Sequence, residues 1–165
     1  MGNLQRNKDG SMSFADLITS MTTAAAKGDG GGVADCFTDD GVYHDVFYGA
    51  FAGRTALIDM IENHFHRDGG DFRWDIYDPV SDGQTGYARY VFSYQSKLPE
   101  AEGRRALFEG VAVVKLKDGK IAEYREVANA MTGLQMMGFP PERLAKVIAK
   151  EGRELAARDE SAGHL

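Results

Sequence analysis

Cysteine is almost missing from this chain. One residue, Cys36, stands alone among 165. It has no internal disulfide partner, which points to a reducing, cytoplasmic setting. Long apolar runs are missing too. None approaches the ~20 residues that a membrane span requires, and the opening MGNLQRNKDG contains no apolar stretch of the secretory kind. Basic charge is in short supply: Lys+Arg 19 stand against Asp+Glu 25, for a net charge of −6 and a pI near 5.2. That sign argues against nucleic acid and anionic membranes as partners. There is no internal repeat, no Gly-x-Ser-x-Gly turn for a nucleophilic serine and no His-x-x-x-His or Cys/His cluster for a metal. The glycines at 28–32 are not followed by Lys-Ser or Lys-Thr, so they make a flexible joint and not a phosphate loop.

What remains is an ordinary globular mixture, 43% hydrophobic and 27% charged, of a length that makes one folded domain. Residues 1–12 read as a disordered leader, 13–130 as the folded domain, 131–159 as a helical extension and 160–165 as a loose tail. Ser13, with Asp16 three residues on, predicts the start of a helix whose stripe is Phe14, Leu17, Ile18, Met21, Ala24 and Ala25, stopped by Gly28. A short helix is expected over 33–37, a turn at Thr38–Gly41, a strand over 41–48, a turn at 49–53 and a helix over 54–67. From Phe72 the apolar period switches to two. Turn residues at 78–83 separate the first strand from candidates at 85–96, 104–117 and 120–129, the last two joined by an Asp118-Gly119 hairpin. Pro140-Pro141 opens a final helix with Leu144, Val147, Ile148 and Leu155 on one face. Helices at one end and consecutive hairpins at the other imply an α+β fold with an antiparallel sheet.

One stretch adds a resemblance. The phrases Gly28-Asp29, Phe37-Thr38-Asp39-Asp40, the strand after them and Gly53-Arg54-Thr55-Ala56-Leu57 resemble the opening of SnoaL-like and ketosteroid-isomerase-like proteins. These belong to the nuclear-transport-factor-2-like superfamily. VVKLKDGKIAEYREV, residues 113–127, looks like that family's last hairpin. The resemblance spans about residues 13–130. It implies a cone-shaped curved antiparallel sheet wrapped around the N-terminal helices, here with an extra C-terminal helix and a hollow able to hold a ligand. It also implies a homodimer that uses the outer sheet face. It does not imply one chemistry, because the fold hosts several.

Carried over by position, the carboxylate base of ketosteroid isomerases falls on Asp45. The positions of their two oxyanion donors hold Met21 and Ala112. The last-strand acid of epoxide-hydrolase relatives falls on Glu126, and Arg89 is followed two residues on by Val91 where they carry a second acid. A strand-end aspartate also caps turns, and Glu126 has Arg125 and Arg89 as candidate partners. His64, on the helix after the first strand, is a candidate relay for Asp45. Alternation turns Ala88, Tyr90, Phe92 and Tyr94 inward and Arg89 outward. Tyr43, Phe47, Trp74, Tyr90, Phe92, Phe108 and Tyr124 are expected to bind substrate as the lining of an apolar hollow, with Gly110 and Ala112 leaving room. Met131, Met136, Met137 and Phe139 are expected as an adaptable gate. Tyr43 and Tyr124 are candidate hydroxyls to stabilise developing negative charge.

Two functions fit. One is carboxylate acid/base catalysis (isomerase, dehydratase, cyclase or epoxide-hydrolase type) on a small apolar ring-containing molecule, with Asp45 as base, Glu126 or His64 as acid and no cofactor. The other is a non-catalytic module that binds an apolar ligand or dimerises.

Overall fold

A computed structural model describes residues 12–165. The expected leader lies almost wholly outside the described residues. Helix α1, Phe14–Lys27, begins where Ser13 accepts the Asp16 N–H at 3.2 Å and donates its hydroxyl to the Asp16 carboxylate at 2.7 Å. It buries Leu17, Ile18, Met21, Thr22, Ala24 and Ala25, and Gly28 ends it at φ +77°, a conformation that glycine adopts without strain.

The glycines beyond are not a flexible joint. Asp29 accepts the Gly32 N–H at 2.8 Å and caps α2, Gly30–Asp35. A Cβ at Gly30 would come within 2.9 Å of the Ile58 backbone, so the missing side chain lets two helices touch. The short helix therefore lies upstream of its expected 33–37.

Strand β1, Phe37–Asp45, starts earlier than expected and absorbs the Thr38–Gly41 turn as an irregularity between Phe37 and Val42. A three-residue return leads into β2, Gly49–Ala52, in place of the expected turn. Helix α3, Arg54–Asp59, widens into a π-helical stretch, Met60–Phe65, and closes with α4, His66–Asp68. Strands β3, Gly69–Ser81, β4, Thr85–Ser96, β5, Arg105–Lys117, and β6, Lys120–Ala128, follow. Strand β3 runs through Pro79, where a turn was expected. It is an edge strand, and there a missing N–H leaves no ladder partner wanting.

The six strands form one curved open sheet in the order β2-β1-β6-β5-β4-β3. All pairs are antiparallel except β1–β6, which is parallel, with Tyr43 beside Tyr124. The wholly antiparallel expectation fails at that one pair because hairpin signals report only strands joined by turns. A register shift near Lys115/Leu116 also turns Ile121 into the core, against simple alternation.

One apolar cluster joins α1, α2 and α3 to Tyr43, Ala88, Ala112, Val114 and Tyr124 of the sheet. A second gathers Ala101, Ala106, Phe108, Leu134 and Met137, with α5, Ala130–Met136, lying on β5. Of the methionines expected at a gate, Met137 is buried in this cluster, Met131 packs against it and Met136 is exposed, and none of them lines the cavity described below. Helix α6, Pro141–Ala156, packs through Leu144 and Val147, while Ile148 and Leu155 are more than half exposed. Among the described residues, no helix is long and apolar enough to cross a membrane.

Gly133 of α5 lies against the Phe108 ring, which would overlap an added Cβ. Gly133→Ala should therefore lower stability by about 1–3 kcal/mol. Thermal denaturation checks this, and an unchanged midpoint would show that the ring moves freely.

Candidate functional site

The concave face of the sheet encloses a cavity of about 60 Å³ between the two clusters. Its wall is mostly aromatic. Tyr43, Phe47, Trp74, Tyr90, Phe92 and Phe108 all line it, together with Asp45 and Glu126. Tyr124 does not. It is fully buried behind Tyr43, the two rings stacked at 4.4 Å because their residues are register partners.

Glu126 is placed by β6, where inward-facing positions also carry Tyr124 and Ala128. Its Oε1 accepts the Tyr124 hydroxyl at 2.9 Å and the Tyr43 hydroxyl at 3.1 Å, and Tyr90 hydrogen-bonds the same carboxyl group. Tyr90 faces Gly110 across β4 and β5, and a Cβ at Gly110 would sit 2.5 Å from the phenol oxygen. That glycine thus makes room for the Tyr90 hydroxyl, not for a ligand. Burial raises the Glu126 carboxyl to about 7, the negative charge of Asp45 adds to the rise and the three phenols oppose it. The Tyr43 and Tyr124 hydroxyls, themselves pushed up by burial and by Glu126, remain protonated donors.

Asp45 ends β1 and does two things. Its Oδ1 accepts the N–H groups of Phe47 at 2.8 Å and Tyr48 at 2.9 Å, fixing the turn at the cavity mouth. The same carboxylate faces the cavity, where burial raises its proton affinity against those two bonds and the field of His64.

The structure does not bring His64 to Asp45. Its Nε2 meets Asp59 Oδ2 at 3.3 Å, its ring lies 5.3 Å from both Tyr48 and Phe51, and it is not part of the cavity wall. The π-helical stretch explains this, since residues five apart become neighbours there and Phe65 takes the cavity-facing place. Arg89 points outward, 3.1 Å from Glu109 and 3.5 Å from Asp78. Cys36 is buried, its thiol raised to about 11, chiefly by desolvation, and unreactive as expected of a small core residue.

Sequence reasoning left out Tyr48, Phe65, Asp68, Phe72 and Tyr94 as lining residues. Phe72 and Tyr94 carried a signal, for they share the alternation of Trp74 and Phe92. Asp68, at a helix end, carried none. It is held by both guanidinium contacts of Arg67 at 2.7 Å and by the Tyr48 hydroxyl at 2.6 Å. Among the described residues no cluster fit to hold a metal ion appears.

The sequence matches the SnoaL-like domain family over residues 18–124, and the chain belongs to that family. No curated protein sequence matches it. Its fold is shared with solved nuclear-transport-factor-2-like structures. One is a Catenulispora acidiphila protein with a ketosteroid isomerase-like fold in complex with trimethylamine, 14% identical, with TM-score 0.69, covering 79% of this chain and 98% of that one. Another is a Mycobacterium tuberculosis LEH-like epoxide hydrolase, 16% identical, with TM-score 0.60, covering 82% and 94%. A third is a hexachlorocyclohexane dehydrochlorinase, LinA type 2, 16% identical, with TM-score 0.61, covering 70% and 82%.

The raised Glu126 carboxyl makes a linkage prediction. A carboxyl whose folded value lies above its ordinary 4.5 favours the folded state most when protonated. That contribution is complete below about pH 4.5 and is lost as pH climbs through about 7, on the order of 3 kcal/mol in all. Glu126→Gln should flatten the urea-unfolding stability profile across that window. A wild-type profile that already lacks this slope would contradict the shift.

Proposed function

We propose that this SnoaL-like protein is an enzyme that moves protons on a small molecule with a largely apolar body, using Asp45 and Glu126. The observation that carries the reading is the Glu126 carboxyl, raised to about 7 in an aromatic hollow and shared by three phenols. Such a group has both protonation states available near neutrality, as a general acid requires. Asp45 has Oδ1 committed to the mouth turn and uses Oδ2 to remove a proton from carbon or from a water, while Glu126 returns a proton to the product. Isomerisation, dehydration, cyclisation and epoxide hydration all reduce to these two transfers. The phenols of Tyr43 and Tyr124 support Glu126, and His64 takes no part.

The hollow limits the substrate. About 60 Å³ is well below the ~150 Å³ of an apolar cavity that admits benzene. A ring-containing substrate therefore enters only when Phe47 and Tyr48 swing away from the mouth. Solved relatives of the same fold support small-molecule chemistry here: one is named as an epoxide hydrolase, one as a dehydrochlorinase, and one holds trimethylamine. The double backbone tie of Asp45 favours a second reading, in which the carboxylate only shapes the mouth of a ligand-holding module. The lone buried Cys36 supports a cytoplasmic setting.

Small cyclic ketones and epoxides, screened by deuterium uptake and hydration, provide the test. Turnover should fall as pH rises through about 7, where Glu126 loses its proton, and should drop ~10²-fold or more in both Asp45→Asn and Glu126→Gln. Turnover that survives in both variants sinks the catalytic reading.

We propose also that the outer sheet face makes a homodimer, since Tyr77, Tyr87, Leu107, Val111 and Val127 are exposed on it. Light scattering should report twice 18.0 kDa; a single-chain mass at high concentration rules the dimer out.

A further inference from the structure

The cavity wall is unbalanced in charge. Among the described residues, three carboxylates line it, Asp45, Asp68 and Glu126, and no lysine, arginine or histidine does. Arg67 neutralises Asp68 from outside the wall through two 2.7 Å contacts. Among the described residues Asp45 and Glu126 have no such partner: their hydrogen bonds come from backbone N–H groups and phenols. Neutral donors of this kind soften a buried negative charge without cancelling it.

The rest of the wall adds to the imbalance. Tyr48, Phe65, Trp74, Phe92 and Tyr94 surround the space, and the faces of aromatic rings carry negative potential. A negatively charged ligand meets the repulsion of Asp45 and Glu126. A neutral hydrocarbon fills the space and leaves the carboxylates uncompensated. A compact cation with apolar arms satisfies both, its charge against the carboxylates and ring faces and its alkyl groups against the aromatic carbon. The volume of about 60 Å³ keeps it small.

We infer that the ligand of this cavity is a small organic ammonium ion, with Asp45 and Glu126 as its counter-charges and the aromatic wall as its cage. The inference rests on the reading that this cavity is the functional site, and it narrows the substrate to a body that bears a cationic nitrogen.

Trp74 is the one tryptophan of the chain and lines the cavity, so its fluorescence reports on occupancy. The probes are tetramethylammonium, the neutral and similarly shaped tert-butanol, and the anionic pivalate, titrated into the full chain and confirmed by calorimetry. Tetramethylammonium should bind at least tenfold tighter than tert-butanol, and pivalate should not bind. Asp45→Asn and Glu126→Gln should each weaken tetramethylammonium several-fold and leave tert-butanol unchanged. Equal or tighter binding of tert-butanol overturns the inference, as does failure of tetramethylammonium to bind. Should a variant not fold, the wild-type comparison of the three probes decides alone. Equilibrium binding needs no turnover. Cation binding without Glu126-dependent turnover would sink the catalytic reading and keep the ammonium site, and the reverse result would do the opposite.

Discussion

A carboxyl group in an aromatic hollow, held by phenols and, among the described residues, by no cation, is the constraint around which this chain is arranged. Tyr43 comes from β1, Tyr90 from β4 and Tyr124 from β6, and all three converge on Glu126. Each must give up contact with water to do so, and the glycine at 110 is empty because the Tyr90 hydroxyl needs its space. A buried polar network of this kind is favourable only when every member is satisfied. The sheet register that aligns Tyr43 with Tyr124, and Tyr90 with Gly110, is what satisfies it.

Asp45 shows how one side chain serves shape and electrostatics together. By gripping the backbone of Phe47 and Tyr48 it sets the rim of the hollow. By standing near Glu126 it raises that group's hold on a proton. The rim and the proton are therefore coupled through one carboxylate, and a disturbance of either reaches the other.

Much of this was legible in the residues. The Ser13 cap, the period-two run from Phe72 and the Asp118-Gly119 hairpin carry their structures openly, because capping, alternation and tight turns are local. So does the outward turn of Arg89, which alternation alone decides. The pairing of β1 with β6 was not legible, since no turn joins them. His64 was misplaced for a related reason: a π-helical stretch changes which residues are neighbours, and no local signal in Met60–Phe65 announces it. The resemblance singled out Glu126, but its phenol partners were not legible. They belong to three strands, and only the register of the whole sheet brings them together.

The parallel contact between β1 and β6 has one more consequence, for the order in which the molecule comes into being. The two carboxylates sit on strands that are remote along the chain and touch only through this pairing. Contacts that close so long a loop form late and slowly. A chain leaving the ribosome has its first helices and its early hairpin in hand while the partner of β1 is still unmade. Until β6 emerges, the edge of β1 lies bare, and the hollow that holds both carboxylates lacks its Glu126 wall.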